Sequence, residues 1–398
     1  MDSLARLHTR LQSLVIFRNL LSDGVVQLLL SLLDTENAPL WERVSRYGAF
    51  ASALLQKTEN FSDYLWGLIV YDPNFYIAAW ARGERTSPAL KECLQKELQL
   101  LQELSQLSAG TVQAALGYDG YLPEWRNRPA DFPADYMALL ESAHTGGFGM
   151  YAKYRAFTLN GQALVPVSAP DPVRLSDLSG YEAQRRIVLD NTLALLSGKP
   201  AANTLLYGDA GTGKSSCVKA LLNEYAPMGL RLIEIRRDQL LHIPEVASSL
   251  NGNPLKFILF IDDLTLSADS EELGALKSVL EGAVWKRSQN VILYATSNRR
   301  HLIHETFSQR EGDEIHREET VQEQVSFSDR FGLAVRFFRP DKEEYLSIVH
   351  ALARQYALGP DVDLDLKAER FAMEKGGRSP RAARQLVEML KSREGTSR

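Results

Sequence analysis

Apolar positions follow two different periods along the chain. Leu90, Cys93, Leu94, Leu98, Leu101 and Leu104 recur at steps of three and four, the spacing that lines one face of an amphipathic helix. Thr86 or Ser87 before Pro88 gives this helix a start, with proline in its first turn. Residues 1 to about 145 read as mostly helical. Tyr64, Trp66, Tyr71, Phe75, Tyr76 and Trp80 cluster in this region. They read as helical core, with a partner groove as the alternative. Prolines between Tyr118 and Pro133 mark an irregular connection.

The period changes after residue 145. Tyr151 to Thr158 and Gln162 to Val167 flank Asn160-Gly161, a favoured hairpin turn. Two prolines in SAPDPVR follow, and a domain boundary is expected near residue 170. Short apolar runs then alternate with helical stretches: Thr204–Tyr207, Leu230–Ile235, Phe257–Ile261, Val291–Thr296 and Leu333–Phe337. Five such runs predict an α/β fold with a five-stranded parallel sheet covered on both faces. The expected layout is a helical N-terminal domain over 1–145 and a hairpin and linker over 146–174. An α/β domain over 175–339 and a helical lid over 340–398 complete it.

Composition narrows the function classes. The chain has 398 residues, with 45 Lys and Arg against 50 Asp and Glu, a net charge of −5. That balance excludes a polycation that coats nucleic acid by charge alone. Two cysteines, Cys93 and Cys217, exclude a disulfide framework or a cysteine zinc site and suit a reducing compartment. The apolar run Gly24–Leu33 is too short to span a membrane. MDSLARLHTRLQ lacks the apolar stretch of a signal peptide. A cytoplasmic protein is expected.

The strongest chemical signal is Gly208-Asp209-Ala210-Gly211-Thr212-Gly213-Lys214-Ser215, which matches G-x-x-x-x-G-K-[ST] in full. An apolar strand precedes it and a helical stretch beginning Ser215-Ser216 follows. Glycines let backbone N–H groups converge on phosphate oxygens, and the helix start adds its positive dipole end. Lys214 is expected on the β- and γ-phosphates and the Ser215 hydroxyl on Mg2+. The run Phe257–Ile261 ends in Asp262-Asp263, two adjacent carboxylates that are costly unless a cation or donors offset them. Asp262 is assigned to the metal through water, and Asp263 to orienting or deprotonating the attacking water. ATP and Mg2+ are the implied cofactors.

These residues resemble the AAA+ ATPase superfamily over about 175–393. The resemblance implies that Ala295-Thr296-Ser297-Asn298 is the sensor 1 element, on a strand between the phosphate-loop strand and the acidic strand. Asn298 would then contact the γ-phosphate or the lytic water. It implies that Ser328-Asp329-Arg330-Phe331-Gly332-Leu333 carries an arginine finger, with Arg330 offered to a neighbouring subunit's nucleotide. It also implies that Gly376-Gly377-Arg378-Ser379-Pro380-Arg381 is sensor 2, with Arg381 in the role and Arg378 and Arg384 as rivals. Leu178-Ser179-Gly180-Tyr181-Glu182 resembles the segment that packs on adenine, which adds Gly180 and Tyr181 to the binding set. FIDDL, LEG, ATSNRRHL and SDRFGL, with the hairpin leading into GYEAQRR, are similar to a bacterial branch of AAA+ ATPases of unknown function. That similarity runs from about 146 to 393.

The chain departs from the superfamily's unfoldases in one region. RRDQLLHIPEVASSLNGN has no aromatic residue where those proteins carry an aromatic pore loop, which counts against polypeptide threading. Asp263 stands where glutamate is more usual, one methylene shorter. Nothing after Leu390 is long enough for a helix-turn-helix. His301, His304 and Glu305 have no zinc-site spacing. The basic clusters Arg236-Arg237, Arg299-Arg300 and Arg378/Arg381/Arg384 read as nucleotide contacts and solvated surface. The acidic stretch Gln309–Glu323 reads as a solvated insertion before Arg330. Three roles follow: an oligomeric ATPase remodelling a protein partner held by residues 1–145, a loader or switch on a nucleic-acid complex, or a nucleotide-stabilised assembly module. Stimulation by single-stranded nucleic acid separates the second from the first.

Overall fold

A computed structural model describes residues 2–34, 38–267, 271–280, 289–298, 303–304 and 330–396. Arg299, Arg300, His301, Glu305 and the stretch Gln309–Glu323 lie outside the described residues. The chain forms two compact units, one ending at Lys153 and one from Tyr154 onward.

The first unit is helical. The periodic leucines form the helix Pro88–Ser105, whose start is capped by the Ser87 side chain accepting from the Leu90 N–H. Leu94, Leu98, Leu101 and Leu104 are buried along its inner face. The aromatic cluster divides. Tyr64, Trp66, Tyr76 and Trp80 pack in or against the core, whereas Tyr71 and Phe75 are exposed. Between Tyr118 and Pro133 the chain is irregular, yet Trp125 is buried there, its indole N–H donating to the Leu107 carbonyl at 2.9 Å.

The second unit is built on one sheet. Its strands are β1 (Ala156–Asn160), β2 (Ala163–Pro166), β3 (Thr204–Gly208), β4 (Leu230–Glu234), β5 (Lys256–Ile261), β7 (Val291–Ser297) and β9 (Leu333–Phe337). Two short strands, β6 (Leu266–Ser267) and β8 (Ile303–His304), pair separately. The sheet order is β2-β1-β4-β5-β7-β3-β9, seven strands rather than the five expected. The five expected runs form the parallel block from β4 to β9. The hairpin supplies the other two. β1 lies parallel to β4, pairing Ala156 with Leu232 and Thr158 with Glu234, and β2 returns antiparallel as the edge. This placement satisfies backbone groups that β4 would otherwise leave at the edge. The hairpin is thus part of the sheet, in the compact unit that begins at Tyr154. The first hairpin strand also begins later than its sequence pattern indicates. Met150–Lys153 is a helical turn, and the two-residue turn is Gly161-Gln162.

β3, β5 and β7 are buried over nearly their full length, as strands covered on both faces require. The helices Glu182–Leu196 and Lys214–Tyr225 pack against this sheet. Helices Lys342–Gln355, Leu364–Glu374 and Pro380–Thr396 form a separate C-terminal cluster around Tyr345, Val349, Leu352 and Leu386. Among the described residues, no helix is long and apolar enough to cross a membrane.

Candidate functional site

β7 lies between β3 and β5, so the carboxyl ends of all three strands meet at one edge. In open parallel sheets, ligands enter at such ends, where connections diverge to opposite sides. The loop after β3 runs from Gly208 to Gly213 and feeds the helix Lys214–Tyr225. Gly208 has φ +133°, and a Cβ there would lie 2.0 Å from the Phe337 carbonyl oxygen. Only glycine lets the loop leave β3 this close to β9. Gly213 caps the helix at φ +90°, a region that side chains avoid.

Lys214 is the first residue of that helix and is buried. Its ammonium donates to the carbonyls of Gly208 at 2.9 Å and Asp209 at 2.7 Å, and to Asn298 Oδ1 at 3.2 Å. Burial holds its pKa below the ordinary lysine value, with nearby Asp209, Asp263 and Asp262 acting in opposition. Burial disfavours the charged ammonium, and an anion placed before it would favour that form.

Ser215 and the acidic pair face each other. The Ser215 hydroxyl donates to Asp262 Oδ1 at 2.5 Å. Asn298, just past the end of β7, donates from Nδ2 to Asp263 Oδ1 at 2.8 Å while its Oδ1 accepts from Lys214. One carboxamide therefore joins the lysine to the second carboxylate. Asp263 adopts φ +53°, a left-handed conformation uncommon outside glycine, asparagine and aspartate. Among the described residues no cluster of three or more His, Cys, Asp or Glu could hold a metal. A hydroxyl and one carboxylate are nonetheless the donor set that magnesium uses when phosphates and waters complete its shell.

These groups line a cavity of about 630 Å3 that also takes in Ala210 through Ser216. Leu178, Gly180, Tyr181, Phe337, Ile348 and Leu352 form its apolar part. The Tyr181 ring lies 5.3 Å from that of Phe337, and its hydroxyl donates to the Phe338 carbonyl. The Arg381 backbone N–H donates to the Gly211 carbonyl at 3.2 Å, which sets the lid's last helix on the loop. Arg384 donates to the Asp177 carbonyl at 2.7 Å. Both arginines line the cavity. Arg378 does not: it pairs with Glu369 through two hydrogen bonds of 2.9 and 2.7 Å within the lid.

Arg330 is also apart from this cavity. β9 pairs with β3 from Thr204–Leu333 to Gly208–Phe337, so Arg330 precedes the strand at the sheet end opposite the loop. Those four steps of strand alone span about 13 Å. Asp209 turns its side chain outward, accepting from the Arg339 N–H at 2.9 Å, and the Arg339 guanidinium reaches the Gly376 carbonyl at 2.9 Å. Sequence reasoning missed Arg339 because its two partners lie far away along the chain. It also gave Thr296 no role of its own, although Thr296 donates to Asp262 at 2.6 Å. Its only sequence signal is a hydroxyl at the end of a buried apolar run.

Residues 151–394 match the family model described as protein of unknown function (DUF815). The replication factor C large subunit of Staphylothermus marinus is 27% identical over 117 residues, which cover 27% of this chain and 27% of that protein. The chain thus spans about a quarter of that curated relative's length. The RuvB Holliday junction branch migration motor of Thermotoga maritima aligns with 15% identity and a TM-score of 0.36, over 55% of this chain and 63% of that one. A lysine-to-arginine mutant of the same motor gives 18% identity and a TM-score of 0.36, over 55% and 64%. In both cases less than two thirds of the solved chain is matched.

Proposed function

The chain belongs to the DUF815 family, proteins of unknown function, and on that premise we propose that it is a magnesium-dependent AAA+ ATPase. It works as an oligomer and couples hydrolysis to remodelling of a protein partner bound by the helical N-terminal region. The observation that carries the reading is the convergence at one sheet edge: buried Lys214 in the glycine loop, Ser215 on Asp262, and Asn298 between Lys214 and Asp263.

Each residue then has a task. The loop amides and Lys214 hold the β- and γ-phosphates. Ser215 and, through water, Asp262 would hold the magnesium, which supplies charge neutralisation on the phosphates. Asp263 orients the attacking water and accepts its proton, and Asn298 fixes that carboxylate. Arg381 serves the phosphates from the lid, with Arg384, which also lines the cavity, as its rival, and the apolar wall beside Tyr181 receives the base. Arg330 lies too far from its own loop to act there, which supports action on a neighbouring subunit's nucleotide.

Complementation tests this arrangement. Arg330→Ala retains an intact site but lacks the finger, and Lys214→Ala retains the finger but lacks the site. Each alone is expected to lose about 10^3-fold in turnover, the scale of an arginine finger. Mixing them should restore measurable ATPase activity, and the wild-type specific rate should rise with protein concentration. A flat concentration dependence with no recovery on mixing would contradict the oligomeric mechanism.

A further inference from the structure

We propose that Thr296 is the positioning residue of the acidic pair, setting which oxygen of Asp262 faces the magnesium and where Asp263 points. The proposal rests on the magnesium-ATP reading above. Thr296 lies on β7, 2% exposed, beside the end of β5. Its hydroxyl donates to Asp262 Oδ1 at 2.6 Å and accepts the Asp263 backbone N–H at 2.9 Å. Its main-chain carbonyl accepts the Leu264 N–H at 2.7 Å. Three consecutive residues leaving β5 are thus tied to one residue of the neighbouring strand.

The chemistry needs a group that both donates and accepts. A hydroxyl does both, a methyl neither. Asp263 sits at φ +53°, a conformation that persists only where its surroundings enforce it. The N–H bond to Thr296 is such a restraint, and it aims the Asp263 side chain at Asn298. At Asp262, Thr296 and Ser215 both donate to Oδ1, which occupies its two lone pairs. Oδ2 has no protein hydrogen bond among the described residues, so it is the oxygen presented to a cation's water shell. When Ser215 serves the cation, Thr296 is the donor that keeps the carboxylate from rotating. Partners of metal-site carboxylates commonly act in this way, and their loss costs about 10- to 100-fold in metal affinity or activity.

The test compares Thr296→Val, which keeps shape and loses the hydroxyl, with Thr296→Ser, which keeps the hydroxyl. Binding of a fluorescent ATP analogue is titrated with magnesium on the full chain, beside kcat and KM. For Thr296→Val, binding in excess EDTA is expected to match wild type, because Lys214 and the loop are untouched. Its magnesium midpoint should rise about 10-fold or more, and kcat should fall more than KM changes. Thr296→Ser should remain within about threefold of wild type. Thr296→Ala gives the same readout where the valine variant does not fold. A merely structural threonine would lower stability without moving the magnesium midpoint. An unchanged midpoint in Thr296→Val, or equal damage in Thr296→Ser, would overturn the proposal while wild-type magnesium dependence keeps the ATPase reading. Wild-type nucleotide binding that ignores magnesium would overturn both.

Discussion

In the helical unit, buried polar groups close the fold on itself, whereas at the sheet edge they face one another across a cavity. Glu97 shows the first pattern. Its buried carboxylate accepts from the backbone N–H groups of Val15 at 2.7 Å, Ile16 at 3.1 Å and Phe17 at 3.0 Å. Tyr47, Trp80 and Trp125 likewise donate to backbone carbonyls of Pro123, Leu140 and Leu107. Lys214, Asp262, Asp263 and Asn298 show the second pattern. Lys214 uses its three donors on the Gly208 and Asp209 carbonyls and on Asn298, whereas Asp262, Asp263 and Asn298 satisfy one another only in part beside open volume. A polar group that completes a loop marks architecture. One whose bonding capacity is unfilled beside a cavity marks chemistry.

Substitutions in the two regions should therefore have opposite consequences, one for turnover and one for stability. The largest effect is expected for Asp263→Asn, which should bind nucleotide with wild-type affinity and turn over about 10^3-fold more slowly. Paired nucleotide-binding and steady-state ATPase assays check this. Turnover equal to wild type would show that Asp263 is not the base.

Glu97→Ala should do the reverse. Removing the acceptor leaves three backbone donors without their partner, at a cost of about 3 kcal/mol. Urea unfolding followed by tryptophan fluorescence reads it selectively, because Trp41, Trp66, Trp80 and Trp125 precede residue 145 and only Trp285 follows. The expected result is a lower midpoint with nucleotide affinity unchanged. A matching loss of affinity would show that the two regions are not separable.

A subtler effect is expected from the proton balance of Lys214. Its folded pKa is held below the lysine value of 10.5 by burial. The unfolded chain therefore binds more protons in the window just below that value, and stability without ligand should rise with pH across it. A bound triphosphate favours the charged form, so binding there should take up a fraction of a proton. Calorimetry at alkaline pH in two buffers of different ionisation enthalpy should give different heats, and at neutral pH the same heat. Lys214→Arg should lose the difference. Buffer-independent heats at both pH values would rule out the depressed lysine.

The glycine loop after β3 was legible because its conformation dictates residue type, whereas the order of strands around it was implied by the resemblance to AAA+ ATPases. At Gly208 a Cβ would lie 2.0 Å from the Phe337 carbonyl oxygen, so no side chain fits there. The place of β7 between β3 and β5 was what the resemblance to AAA+ ATPases implied, since Asn298 after Thr296 and Ser297 is by itself an ordinary strand-end residue. The joining of the hairpin to β4 was not legible, since the signal for a tight turn around Gly161 is local and says nothing of which strand edge receives β1. Thr296 and Arg339 were missed for a related reason. Each acts through partners distant in sequence, Thr296 with Asp262 and Arg339 with Asp209, and neither residue type is unusual at its position. The exposure of Tyr71 and Phe75 depends on packing that an apolar pattern alone does not encode.

Whether magnesium nucleotide binds at the glycine loop is read by titration calorimetry of the folded full chain with the magnesium complex of a slowly hydrolysed ATP analogue. Saturable binding is expected for the wild type, and at least about 100-fold weaker binding for Lys214→Ala. Absence of binding heat in the wild type, or equal affinity in the two proteins, would contradict binding at that loop.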